Sequence, residues 1–200
     1  MITYRPMKMA DIDHVPLGCQ GGRDAVAARI ADLGSAAILG FDREQHVAQV
    51  QFRRYDPALR SPNGLWDPLY WGDFGEHAPE LPDDSLATFC FHVGQTDDSE
   101  ARDSRYHGCG IGLALLDRLI EWATAAGYAA IVAKCTPPDR AVMSFMGGHP
   151  AAAYLGRGFD LRSSWVDEQL SEVIAEKNLV AEDADMSKAA RVGCCVKYLR

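Results

Sequence analysis

The sequence predicts an α/β (α+β) domain, a mixed central sheet flanked by helices. Three observations lead there. Apolar and β-branched runs alternate with stretches of helical spacing, in the order β-α-α-β-β-β-α-β-α-β-α-β. A dense apolar run, LATFCFHVG (86–94), is followed by a polar connection and then a glycine-led amphipathic helix. The 200-residue length suits one sizeable core, so a single domain over 1–200 is expected.

Residues 2–6 (ITYRP) read as a first strand, and MADIDHV as a brief helix. In 21–34, Val26, Ile30 and Leu33 fall at helical spacing, and Gly34 is a natural stop. Residues 35–42 and 46–55 read as two strands joined by a turn at DREQ. Residues 56–84 form a long loop rich in proline and glycine, too aromatic for a disordered linker. The strand 86–94 follows, then the polar connection 95–108 and a helix from about Gly110 to Ala126. Residues 128–135 make the next strand. TPPDRAVMSFMGGHP reads as a connecting segment. A short helix within 151–159, a strand at 159–165, a helix at 166–178 and a strand at 191–199 complete the chain.

Composition narrows the classes. Hydrophobic residues make up 48% and charged residues 24%, as in globular domains. The formal net charge is −8 with no basic run, which argues against nucleic acid as a partner and tolerates a cationic one. No stretch is apolar enough to span a membrane, and MITYRPMKMADIDHV lacks the apolar centre of a signal peptide, so a cytoplasmic location is expected. The six cysteines form no CxxC pair. Cys194 and Cys195 are adjacent in a strand, so they point to opposite faces and chelate poorly together. No metal is expected.

The stretch RYHGCGIGLALLDRLIEWATAAGY (105–128) carries the chemistry. Leu115, Leu119, Trp122, Ala123 and Ala126 share one helix face, with Asp117, Arg118, Glu121 and Thr124 opposite. The first N–H groups of a helix have no partner within it and point outward with the positive end of the dipole. Glycines let an anion approach them closely. Alternatively, the glycines serve only tight helix–strand packing. A P-loop would need Gly-Lys-Ser/Thr, but Leu113 and Ala114 follow Gly112. A dinucleotide fingerprint would need glycine where Leu113 stands, and an acid where the next strand ends in Lys134 and Cys135.

This stretch resembles the acetyl-CoA loop of the GNAT superfamily of N-acyltransferases, whose Arg/Gln-x-x-Gly-x-Gly/Ala signature maps onto His107, Gly108, Cys109, Gly110, Ile111 and Gly112. AYLGRGF (153–159) resembles the family's Tyr-x-x-x-Gly-Phe motif at Tyr154, Gly158 and Phe159. His107 departs from the signature's Arg or Gln, and 95–104 looks like an insertion.

The resemblance implies a sheet whose fourth and fifth strands splay apart around acetyl-CoA as co-substrate. Phe91, His92 and Val93 would bind the pantetheine arm, and backbone N–H groups of 108–112 the pyrophosphate. Tyr154 would protonate the leaving thiolate. It implies N-acyl transfer to a primary amine of a small molecule or peptide, or an acyl-CoA-binding module of the same fold without turnover. Members often dimerise, and 166–199 is the segment available for a homodimer.

From the residues themselves, Thr88, Cys90 and His92 should share one strand face, with Phe89, Phe91 and Val93 on the other. His92 has a suitable intrinsic pKa for a general base and equally suits a structural role. In the 56–84 loop, Trp66, Trp71 and Asp73 are the candidates to wall an acceptor pocket and hold an ammonium; a secondary core under the loop is the alternative.

Overall fold

The computed structural model describes residues 1–60, 73–99 and 101–200. Seven strands form one sheet in the order β1-β2-β3-β4-β5-β7-β6. They are β1 (Ile2–Pro6), β2 (Ala37–Asp42), β3 (Gln45–Arg54), β4 (Ser85–Val93), β5 (Ala130–Cys135), β6 (Asp160–Val166) and β7 (Arg191–Tyr198). All neighbours run antiparallel except β4 and β5, which are parallel.

The parallel pair requires a crossover, and α2 (Ile111–Ala125) supplies it. Leu115, Leu116, Leu119 and Ala123 of α2 are fully buried against Ile38, Val50, Phe52, Leu86 and Ile131 of the sheet. Each such leucine contributes about 1.5–3 kcal/mol of burial. Trp122 extends this layer, its ring 4.9 Å from Phe52 and 5.5 Å from Tyr128. On the other face, Val26 and Ile30 of α1 (Arg23–Leu33) pack on Ala37 and Leu39, the alternate residues of β2. Gly34 ends α1 at φ +85°, the left-handed cap expected of glycine.

Two segments differ from the sequence reading. MADIDHV gives only a 3₁₀ turn at Met9–Asp11, closed by Asp11, which accepts from the Lys8 N–H at 2.7 Å. The connection after β5 contains a helix, α3 (Arg140–Met146), capped by Asp139, which accepts from the N–H groups of Ala141 and Val142. Val142 and Met146 of α3 join Phe89, Leu170 and Val192 in a second core. The remaining helices are α4 (Ala151–Leu155), α5 (Glu168–Glu176) and α6 (Met186–Ala189).

Candidate functional site

Parallel pairing of β4 with β5 runs from Ser85–Ala130 only as far as Thr88–Ala133. Beyond it β4 continues to Val93 and β5 to Cys135, so the two strands part into a wedge. A bulge in β4 shapes this opening. Opposite β3, Gln51 pairs with Cys90 and Phe52 with Thr88, which leaves Phe89 as the extra residue. The bulge overturns the strict alternation expected for this strand. Thr88 and Phe91 both line the wedge, whereas Cys90 and His92 meet Cys19.

Tyr154 also lines the wedge, together with Lys134 and Thr136. Its ring is buried and packs edge-on against Phe159 at 5.3 Å. Burial pushes its phenol pKa well up, and Thr88 and the backbone at His149 lie within hydrogen-bonding reach and oppose that shift. The phenol therefore carries its proton at neutral pH and stands inside the wedge as a proton donor. Lys134 is an ionisable side chain that the sequence reading did not single out. Burial lowers its pKa, and Asp167, 3.4 Å away, works to restore the charge, with Asp73 in electrostatic reach.

The predicted phosphate loop stands at the start of α2. A 3₁₀ turn at Ser104–Tyr106 ends at His107, and Gly110 is the N-cap. Gly108 and Gly110 have φ of +72° and +74°, and a Cβ on either would meet no atom within 4 Å. Steric packing is thus not what calls for glycine there. The left-handed backbone and the open space above it are. The first bond of the helix runs from the Ala114 N–H to the Gly110 carbonyl, so the N–H groups of Ile111, Gly112 and Leu113 precede the ladder. His107 is exposed beside them, and Cys109 is exposed within the loop. The nearby Arg105 is held by Asp103 at 2.6 Å. This cradle fits a pyrophosphate.

The wedge itself is crossed by residues 147–150. The Phe91 N–H donates to the Gly147 carbonyl at 2.7 Å, and the Thr136 N–H to the His149 carbonyl at 2.9 Å. The His149 ring lies against Gly112, where a Cβ would stand 2.8 Å from it, and 4.5 Å from the Phe91 ring. Burial lowers the His149 pKa, against a hydrogen bond with the Gly112 backbone. The free space left beside Tyr154 is about 10 Å³, room for about one water. Val93 reaches the same spot, 3.9 Å from a Cβ on Gly112.

The structure therefore brings together Phe91, Val93, Tyr154 and the 108–112 loop. It does not bring the His92 ring to them. That ring is buried near Gly18, with Arg102 3.3 Å from its Nδ1. Asp73 is half-buried, accepts from the Gly75 N–H at 2.8 Å and pairs with Arg60 at 3.8 Å. Next to it, Phe74 is buried against Tyr55 and Ala87, so this part of the loop builds a secondary core. Trp66 and Trp71 lie outside the described residues. Among the described residues, no helix is long and apolar enough to cross a membrane.

Comparison with known proteins agrees with this geometry. The acetyltransferase (GNAT) family model matches residues 101–147. No curated protein matches the sequence. Among solved structures, the Salmonella typhimurium protein yncA with its cofactor acetyl-CoA is similar, at 14% identity and TM-score 0.53, covering 100% of this chain and 95% of that one. The ribosomal-protein-S18-alanine N-acetyltransferase of Escherichia coli gives 12% and 0.51, with 100% and 94% covered. A GNAT superfamily phosphinothricin acetyltransferase of Sinorhizobium meliloti, in complex with acetyl-CoA, gives 14% and 0.50, with 98% and 88% covered. The matched segment contains the glycine loop. Residues 101–147 thus match the GNAT acetyltransferase family model, and the chain has the fold of these solved structures.

Proposed function

We propose that the protein moves an acetyl group from acetyl-CoA to a primary amine of a small molecule or peptide. The observation that carries this reading is the β4/β5 wedge, with Tyr154 inside it and the 108–112 cradle beside it. The pyrophosphate of the co-substrate would rest on the N–H groups of 108–112, where the helix dipole favours negative charge. The thioester arm would lie along Phe91 and Val93. An amine attacks the thioester carbonyl carbon, the C–S bond breaks, and the thiolate leaves. Tyr154, kept protonated by burial, gives that thiolate its proton.

Contact with the Phe91 N–H requires the Gly147 carbonyl to let go of it. Closing of the chain on itself before the co-substrate enters therefore belongs to this reading. The Escherichia coli and Sinorhizobium meliloti proteins are named for a protein alanine and for phosphinothricin, so both acceptor classes occur on this fold. The net charge of −8 favours a cationic acceptor.

The test is free CoA release from acetyl-CoA with polyamines, aminoglycosides, amino acids and short peptides. Release with at least one amine is expected, and Tyr154→Phe should lower kcat about 100-fold or more with CoA affinity kept within about twofold. CoA binding with no release across the panel would instead support an acyl-CoA-binding module.

A further inference from the structure

A second group of reactive side chains lies on the other side of β4. The loop before α1 is pinned to the sheet by two buried glutamines: Gln49 Nε2 donates to the Pro16 carbonyl and Gln51 Nε2 to the Leu17 carbonyl, each at 3.0 Å. Gly18 follows at φ +59°, so close over the strands that a Cβ would stand 2.8 Å from Gln51 Nε2 and 3.1 Å from His92 Nε2. This close approach delivers Cys19 onto β4. The sulfurs of Cys19 and Cys90 and a ring nitrogen of His92 all lie within 4.8 Å of one another. Cys19 is half-buried; Cys90 and His92 are buried.

Two thiols and an imidazole at this spacing match either a soft-metal ligand set or an activated thiol pair. Arg102 decides between them. Its guanidinium lies 3.3 Å from His92 Nδ1 and can only donate, so Nδ1 accepts and the ring proton sits on Nε2. A protonated Nε2 cannot ligate a metal, and a fixed positive charge beside the ring opposes a second cation. Both features stabilise a thiolate. Nε2 is buried without a conventional hydrogen-bond partner, so its proton is available to the cluster.

We propose that Cys19 and Cys90 form a peroxide-reactive thiol pair, Cys19 being the attacking thiolate and Cys90 the resolving thiol. The hydrogen bond from Cys90, aided by His92 and the charge of Arg102, outweighs burial and brings the Cys19 pKa down to about 5. The same hydrogen bond, with burial, pushes Cys90 up, which keeps its proton on. The Cys19 sulfur attacks one peroxide oxygen and the O–O bond breaks. The sulfur becomes a sulfenic acid, and the departing hydroxide takes a proton to leave as water. The Cys90 sulfur, losing its proton, then attacks the Cys19 sulfur, forming the S–S bond and expelling a second water. The two sulfurs lose two electrons in total, and the peroxide gains them. The bond would tie the 16–19 loop to β4 one residue before Phe91, at the wall of the wedge.

The experiment treats the reduced full-length protein with about one equivalent of hydrogen peroxide, then alkylates it and maps the peptides. A Cys19–Cys90 disulfide is expected, with exposed Cys109 and the buried pair Cys135 and Cys195 still reduced. In Cys90→Ser, dimedone should trap the sulfenic acid on Cys19; in Cys19→Ser, Cys90 should stay reduced. In the wild-type protein, iodoacetamide at pH 6 should label Cys19 about tenfold faster than Cys109. Preferential oxidation of Cys109, equal labelling rates, or about one zinc per chain lost on replacing either cysteine would each overturn the proposal. None of these readouts depends on acyl transfer.

Discussion

His107 stands where the signature has Arg or Gln, exposed beside a cradle that otherwise relies on backbone N–H groups. Arginine is always charged and can grip a phosphate with two N–H groups. His107→Arg should therefore tighten CoA binding about threefold to tenfold, as calorimetry can show. An unchanged affinity would mean that the backbone alone holds the phosphates. The glycines of this loop were legible because their requirement is local: positive φ at Gly108 and Gly110 and open space above them. The partners of Cys19 were not legible. Cys90 and His92 lie some seventy positions away, joined to Cys19 only through the register of β4 and the close approach of Gly18.

The elements were read well where their periodicity was strong. Strand β4 and helix α2 fall within a residue of their expected ends, because an unbroken apolar run and a one-sided leucine face each allow one structure. The bulge at Phe89 was hidden, since nothing in LATFCFHVG marks which residue will be left unpaired against β3. That bulge separates Thr88 from His92 and removes the His92 ring from the wedge. The excursion through α3 was also missed; its seven residues are too few for a helical period to stand out. Yet this excursion sets the state of the site, because it brings Gly147 to Phe91 and His149 to Gly112. His149→Ala removes the ring's contacts with Gly112 and Phe91, which help to hold residues 147–150 across the wedge, and should lower the CoA Kd about threefold to tenfold by favouring the open wedge. A higher Kd would show that the ring holds the ligand instead.

At the scale of the whole molecule, the sheet edge is tied to the chain start by a charged cluster. Asp11 accepts two bonds of 2.6 Å from Arg5 and one of 2.7 Å from the Lys8 N–H. Burial disfavours its charge, but these donors win and hold its pKa below the usual carboxylate value. A carboxylate depressed in the folded state stabilises the fold above its unfolded pKa, near 3.9, and loses that contribution as pH falls through the folded value. Asp11→Asn should cost about 1 kcal/mol at pH 7, since Arg5 is partly exposed, and less at about pH 3, where the unfolded carboxylate is largely protonated. Urea titrations at the two pH values check this; an equal loss at both would contradict it. The mixed sheet was expected from element order and the splayed fourth and fifth strands from the family resemblance, while the closing of the wedge by residues 147–150 depends on contacts between distant segments. The central claim is that the CoA thioester occupies this wedge with its pyrophosphate on 108–112. Amide hydrogen exchange of the full chain with and without CoA tests it most directly. Slower exchange at 108–113, with altered exchange at Phe91 and 147–149, is predicted; bound CoA that leaves both segments unchanged would contradict it.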